Sequence, residues 1–244
     1  VALNHVDFVV KRGEIRGLIG ENGSGKSTVS SIISGMQKPT SGTMTYKGQP
    51  WAPASTLEAQ GKGICMIVQE AGTIQGIPVA DNIFLGHEKM FMRGPVVNHG
   101  KMVKEAQSLL DKLGIDIDAS ERTERLSMQQ CKLVEIAKGM YWDPEIFIVD
   151  ETTTALSQSG RTLLYRLMHE LRDNGKAVLF ISHDLEELIE QCDAVTVLRD
   201  GKIIGSLDKE EFDPDAMKKM MVGREIKGDY YRSDYDGYSD EVVL

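Results

Sequence analysis

Gly20-Glu21-Asn22-Gly23-Ser24-Gly25-Lys26-Ser27-Thr28 is the stretch on which the reading of this chain turns. It matches G-x-x-x-x-G-K-[ST], a spacing in which glycines let the backbone bend tightly so that successive N–H groups point inward at phosphate oxygens. The helix that follows presents the positive end of its dipole to the same anion. Gly20, Glu21, Asn22, Gly23, Ser24, Gly25, Lys26, Ser27 and Thr28 are therefore the candidate nucleotide-binding residues. Lys26 is placed to reach the β- and γ-phosphates and Ser27 to offer its hydroxyl to Mg²⁺. A strand-like run at 15–19 precedes the loop and a helix-compatible run at 27–33 follows it, so the expected ligand is a nucleoside triphosphate, ATP with Mg²⁺.

Outward from the loop, short β-like runs alternate with helical patterns. Glu14–Ile19 leads to a helix from Lys26, 146–149 to a helix from about Ser159, and Ala177–Ile181 to a helix from about Asp184. Such alternation predicts a largely parallel sheet with helices on its faces. Residues 6–10, 43–46, 195–198 and 202–206 read as further strands, the last two joined by Arg199-Asp200-Gly201, and Asp-Gly is a strong hairpin signal. Between about Gly72 and Gly139 the pattern becomes helical, as in KMVKEAQSLLDKLG, which predicts a helical subdomain inserted into the α/β core. After Arg224 the run KGDYYRSDYDGYSD has neither period and reads as a linker. The expected division is 1–71 and 140–226 for the two parts of the nucleotide-binding core, 72–139 for the helical insertion and 227–244 for the linker.

Two further strand ends carry polar groups. Glu145-Ile146-Phe147-Ile148-Val149-Asp150-Glu151 is an apolar run closing on two carboxylates, which suits a buried strand delivering charge to the C-terminal edge of a sheet. There Asp150 is expected to hold Mg²⁺ through water and Glu151 to orient and polarise an attacking water. Val178-Leu179-Phe180-Ile181-Ser182-His183-Asp184 ends a second buried strand on a histidine, so His183 is the candidate γ-phosphate contact. Gln69, after the apolar run 64–68, is a candidate sensor of Mg²⁺ or water.

Composition narrows the classes. With 244 residues the chain can hold one large α/β domain with an insertion and leaves no room for a second full catalytic domain. No apolar run approaches the ~20 residues of a membrane-spanning helix. The opening VALNHVDFVVKRGE also lacks the basic-then-apolar order of a signal peptide, so any membrane role is expected through a partner. The net charge of -9 disfavours nucleic acid, which is held by clustered Lys and Arg. Cys65, Cys131 and Cys192 show no disulfide or zinc spacing and read as buried reduced thiols. His5, His87, His99 and His169 read as structural or solvated.

Taken together these residues resemble the ATP-binding cassette of ABC transporters over about residues 1–226. Gly20 to Thr28 stand as its Walker A, Gln69 as the Q-loop glutamine, 146–150 as Walker B, Glu151 as the catalytic glutamate and His183 as the H-loop histidine. Gly-Ile-Asp-Ile-Asp at 114–118, Val-Glu-Ile-Ala-Lys at 134–138, Val-Thr-Val-Leu-Arg-Asp-Gly at 195–201 and Met-Met-Val-Gly-Arg-Glu at 220–225 look like the ribose and galactose import ATPases. The resemblance implies an α/β P-loop NTPase core, with a mostly parallel sheet, flanking helices and an antiparallel β subdomain, plus the inserted α-helical subdomain. It implies catalytic roles for Glu151, His183, Gln69 and Lys26, and Mg²⁺ held by Ser27, Gln69 and Asp150. This would be the first cassette of a tandem chain, cytoplasmic and peripheral on the inner face of the cell membrane. Its partners would be a second cassette, an integral-membrane permease and, indirectly, a sugar-binding protein, with no nucleic acid. The permease would dock near 71–85, and the adenine-stacking aromatic would lie upstream of Val1.

The family signature LSGGQ stands here as Leu126, Ser127, Met128, Gln129 and Gln130, with Gln129 where glycine is expected. In the family this segment acts on the nucleotide of the opposing cassette, so the composite site that it completes is expected to be weak or inactive, while the site on this chain's own Walker A is expected to hydrolyse ATP with the partner's signature. Thr152 replaces the usual proline after Walker B, and Ser157 replaces the D-loop aspartate. Alternatives are a non-transport ABC ATPase acting on DNA or ribosomes and a cassette that binds ATP with little turnover. A GTPase switch lacks its Asn-Lys-x-Asp base-reading motif. Isolated, the 244-residue chain is expected to bind nucleotide better than it hydrolyses it.

Overall fold

The computed structural model describes residues 2–68 and 72–222. Gln69 and the expected linker at 227–244 lie outside them. The first half runs β1 (Glu14–Ile19), α1 (Lys26–Ile33), β2 (Met44–Tyr46), β3 (Gln49–Trp51), α2 (Thr56–Gly61), β4 (Ile64–Ile67), α3 (Val79–Ile83), β5 (Met92–Arg93), β6 (Val96–Val97) and α4 (His99–Leu113). There follow α5 (Met128–Tyr141), β7 (Ile146–Asp150), α6 (Gln158–Asp173), β8 (Ala177–Ile181), α7 (Leu185–Gln191), β9 (Ala194–Arg199), β10 (Lys202–Asp208) and α8 (Pro214–Val222).

Six strands form one sheet in the order β10-β9-β1-β8-β7-β4, parallel throughout except where β10 returns antiparallel to β9. The return is made at Asp200 and Gly201, both at positive φ (51° and 72°), the backbone pair that a two-residue hairpin with the right-handed strand twist requires. Every residue of β1 and of β8 is buried, as expected of parallel strands covered on both faces.

Side chains of the central strands alternate between two apolar layers. Ile15, Ile19, Phe147, Val149, Val178 and Phe180 join the larger core, which α3 to α7 cover. Leu18, Ile148, Leu179 and Ile181 face the other way, into a smaller core shared with Val29 of α1 and Ala59 of α2. Met217 of α8 closes the larger core. Cys65, Cys131 and Cys192 are all buried and unpaired. Burial pushes the Cys65 thiol up to about 12 and the Cys192 thiol higher still, so these two stay protonated and apolar in character.

The α/β fold follows the sequence reading, with one correction. Residues 6–10 are not a strand. Val6 and Phe8 do turn inward against the smaller core while Asp7 and Val9 stay exposed. The two-residue alternation is thus real, but it reports which side is covered and not that a ladder partner exists. The antiparallel β part is correspondingly small, a β2–β3 hairpin. In the helical stretch α4 starts after Asn98, whose side chain accepts from Lys101 N–H, and stops at Gly114 in the left-handed region. A short β5–β6 hairpin precedes it. No helix among the described residues is long and apolar enough to cross a membrane.

Candidate phosphate site

The loop between β1 and α1 carries two positive-φ glycines, Gly23 (81°) and Gly25 (109°), the second standing as N-cap of α1. Gly20 has no room for a side chain. A Cβ there would lie 2.0 Å from the Leu198 carbonyl oxygen and 2.6 Å from Ser24 Oγ. The Lys26 ammonium is buried and held by the loop's own carbonyls, Gly20 at 2.9 Å and Glu21 at 3.2 Å. Together Asn22, Gly23, Gly25, Lys26, Ser27 and Thr28, with Ala2 and Glu151, line an open cleft of about 390 Å³.

The sheet edge brings the remaining groups to this cleft. Asp150, the last residue of β7, is 2% exposed. Its Oδ2 accepts from Ser30 Oγ at 3.0 Å. Its Oδ1 is buried without a hydrogen-bond partner among the described residues, and so is Ser24 Oγ. Burial pushes the Asp150 carboxyl above its ordinary range, an effect that Ser30 opposes and the charge of Glu151 reinforces. A buried carboxylate with an unused oxygen beside an exposed serine hydroxyl suits a divalent cation that also binds phosphate oxygens. No group of three or more His, Cys, Asp or Glu that could hold a metal exists among the described residues; magnesium in such a site takes few protein ligands.

Glu151 lies one residue beyond the strand, with its N–H donated to Ile181 at 3.0 Å. Its φ is +44°, a left-handed conformation rare for a residue with a side chain. Its carboxylate stands 3.6 Å from Lys26 Nζ and 3.8 Å from His183 Nδ1. The carboxylate is 12% exposed and the imidazole 56% exposed. Glu151 thus stands between Lys26 of the loop and His183, while Asp150 meets α1 at Ser30.

The segment 126–130 is placed elsewhere. Ser127 is the N-cap of α5, accepting from Gln130 N–H at 3.2 Å while its own N–H donates to Gln130 Oε1 at 2.9 Å. Leu126 is partly buried against the larger core and Met128 is 75% exposed. The Gln129 amide donates to Ser157 Oγ at 2.7 Å. No hydrogen bond among the described residues joins this segment to the phosphate loop. The S-x-x-Q capping box is a sequence signal that the reading of 126–130 did not use; the Gln129–Ser157 bond leaves no such signal.

Two sets of residues escaped the sequence reading. Lys132 and Glu135, one turn apart on α5, form a buried ion pair at 2.8 Å and grip both sides of 69–71: Lys132 donates to the Val68 carbonyl at 2.8 Å and Glu135 accepts from Gly72 N–H at 2.6 Å. Glu187 of α7 is buried among hydroxyls behind Glu151 and His183. Buried charged residues in an otherwise apolar helical pattern were the only available signal.

Comparison with known proteins follows the same lines. The sequence profile of the ABC transporter family matches residues 3–154. The chain is 39% identical over 226 residues to a protein of Agrobacterium fabrum named putative ribose/galactose/methyl galactoside import ATP-binding protein 1, covering 93% of this chain and 44% of that one. It is 40% identical over 225 residues to the ribose import ATP-binding protein RbsA of Yersinia pestis, covering 92% and 44%. The chain therefore spans about half the length of the curated relatives it matches. Among solved structures, a nucleotide-free ATP-binding cassette from an ABC transporter superposes with a TM-score of 0.77 at 24% identity, covering 91% of this chain and 93% of the other. A cassette in its ADP conformation gives 0.75 at 25% identity, with the same coverage.

Proposed function

This chain belongs to the ABC transporter family, and on that premise we propose that it is an ATP-binding and ATP-hydrolysing cassette that energises import of a simple sugar through a separate membrane permease. The observation that carries the reading is that Glu151 lines the cleft of the loop between Lys26 and His183, with Asp150 bonded to Ser30 of the helix that follows the loop. Backbone N–H groups of 20–28 and Lys26 bind the triphosphate. Ser27 and Asp150, with Gln69, would hold Mg²⁺, which would supply positive charge against the phosphates. Glu151 orients the attacking water and accepts its proton, and His183 contacts the γ-phosphate.

The two-part core with its helical insertion at 72–139 fits this division of labour. The names of the relatives and their greater length support a sugar substrate and a second cassette in the same protein. The segment Leu126, Ser127, Met128, Gln129 and Gln130 then acts on the opposing cassette. Location at the inner face of the cell membrane follows from the permease partner.

Purification of the full-length protein from membranes tests the transport reading. A polytopic membrane subunit is expected to co-purify; stable association with nucleic acid or ribosomes instead would favour a non-transport ATPase. In the same protein Gln129→Gly removes the side chain from the surface facing the opposing nucleotide. It should raise hydrolysis at that site several-fold, on the order of the 1–2 kcal/mol that a crowded contact costs. Absence of any gain in a steady-state ATPase assay would show that the bond to Ser157 keeps the amide out of the way.

A further inference from the structure

Glu187 is 8% exposed and makes no hydrogen bond to the phosphate loop among the described residues, yet its carboxylate accepts from three hydroxyls. Its Oε2 accepts from the hydroxyls of Thr153 at 2.9 Å and Ser182 at 2.8 Å. Its Oε1 accepts from the Tyr165 hydroxyl at 2.7 Å and lies 3.8 Å from Arg161 Nη1. Thr153 and Ser182 are themselves buried. Burial, then the bond to Glu187, pushes the Tyr165 hydroxyl well above its ordinary range, so it remains a donor. A carboxylate taken out of water is tolerated only when its oxygens are satisfied in this way.

The positions of the donors give the cluster its meaning. Thr153 lies two residues beyond Glu151, and Ser182 immediately precedes His183. Arg161, beside the same carboxylate, also donates to the Thr153 carbonyl at 3.1 Å. The Ser182 hydroxyl accepts from Asp184 N–H at 3.0 Å, and Asp184 caps α7 by accepting from Glu187 N–H at 3.3 Å. We propose that Glu187 is a positioning residue for the Glu151–His183 pair, tying the turn after the one to the residue before the other. On the strand side the two are also tied by the bond from Glu151 N–H to the Ile181 carbonyl. Without the carboxylate, the Thr153, Ser182 and Tyr165 hydroxyls lose their shared acceptor and Arg161 its ion-pair partner, and the left-handed backbone at Glu151 loses a support. This inference rests on reading the site as that of an ATPase.

The test measures kcat and KM for ATP, and Mg²⁺-dependent ADP binding by calorimetry, in the full-length protein. Glu187→Ala should lower kcat by about 10- to 10²-fold, the loss that a displacement of about 1 Å produces. KM and ADP affinity should change by less than about threefold, because the phosphate loop is untouched. Glu187→Gln, which keeps one acceptor oxygen in the same volume, should recover most of the loss. Thr153→Val and Ser182→Ala should each lower kcat in the wild-type background and do nothing further beside Glu187→Ala, as residues acting through one group behave. Unchanged kcat in Glu187→Ala, an equal collapse of ADP binding, or full additivity of the hydroxyl variants would overturn the proposal. Should Glu187→Ala fail to fold, the Thr153→Val/Ser182→Ala double variant decides it, since normal kcat there would also overturn it. A wild-type protein that binds but does not hydrolyse ATP would instead remove the ATPase reading itself.

Discussion

Glu151→Gln in the full-length protein retains nucleotide binding and loses turnover by about 10²-fold or more, the share of the rate that a positioned general base supplies. Glutamine has the shape of glutamate and fits the same nearly closed position between Lys26 and His183. It cannot take a proton from water. Backbone strain does not confound the comparison. The left-handed φ of +44° costs roughly 1–2 kcal/mol for either side chain, so strain contributes nothing to any difference between the two proteins. Rapid-quench measurement of a single turnover, alongside calorimetric titration with ADP, separates the two quantities. Wild-type turnover in the variant would refute the assignment of the base and move attention to His183.

Gly20→Ala should be the most damaging single-atom addition to the loop. The new methyl would need to occupy space 2.0 Å from the Leu198 carbonyl, a backbone atom within the sheet that cannot swing aside. Overpacking of this kind costs about 1–3 kcal/mol in stability, and more where backbone must move. Part of the displacement falls on Ser24, 2.6 Å away, so the loop should deform and ADP affinity should fall at least about tenfold, as a shift of more than about 1.4 kcal/mol implies. Gly23→Ala is the control. At Gly23 an added methyl meets nothing within 4 Å, and only its φ of 81° resists, a strain of roughly 1–2 kcal/mol. Thermal melts with and without ADP should rank the two variants in that order; equal effects would mean that flexibility rather than space sets the requirement at both positions.

Much of the fold was legible because its signals are local. β1 and β8 fall on Glu14–Ile19 and Ala177–Ile181 as their apolar runs indicate, and the Asp-Gly pair turns the β9–β10 hairpin. The placement of the 20–28 loop, Asp150, Glu151 and His183 at strand ends was legible for a further reason: each stands at the end of an apolar run, and a parallel sheet carries such ends to one edge. Residues 6–10 misled because alternation says which side of a segment is covered and is silent on its neighbours. The Glu187 cluster was hidden because its hydroxyl donors lie 34, 22 and 5 positions away along the chain. The grip of Lys132 on Val68 spans 64. A helix period marks such residues as inward-facing and cannot say what they meet.

The strand order has a consequence for how the molecule is made. β1 sits in the middle of the sheet, between β8 and β9. Its first contacts reach far ahead: Ile15 N–H bonds to Asp193, 178 residues later, and Arg16 to Thr196, 180 residues later. At a ribosomal pace of about 5–20 residues per second, the segment bearing the phosphate loop waits on the order of 10 s or more before a neighbouring strand exists. Through that interval Ile15, Leu18 and Ile19, all fully buried in the finished protein, are open to solvent and to each other's company on neighbouring nascent chains. The loop itself packs against β9, where Gly20 faces the Leu198 carbonyl; a truncation stopping short of β8 should therefore emerge as a client of chaperones and not as a smaller nucleotide-binding domain.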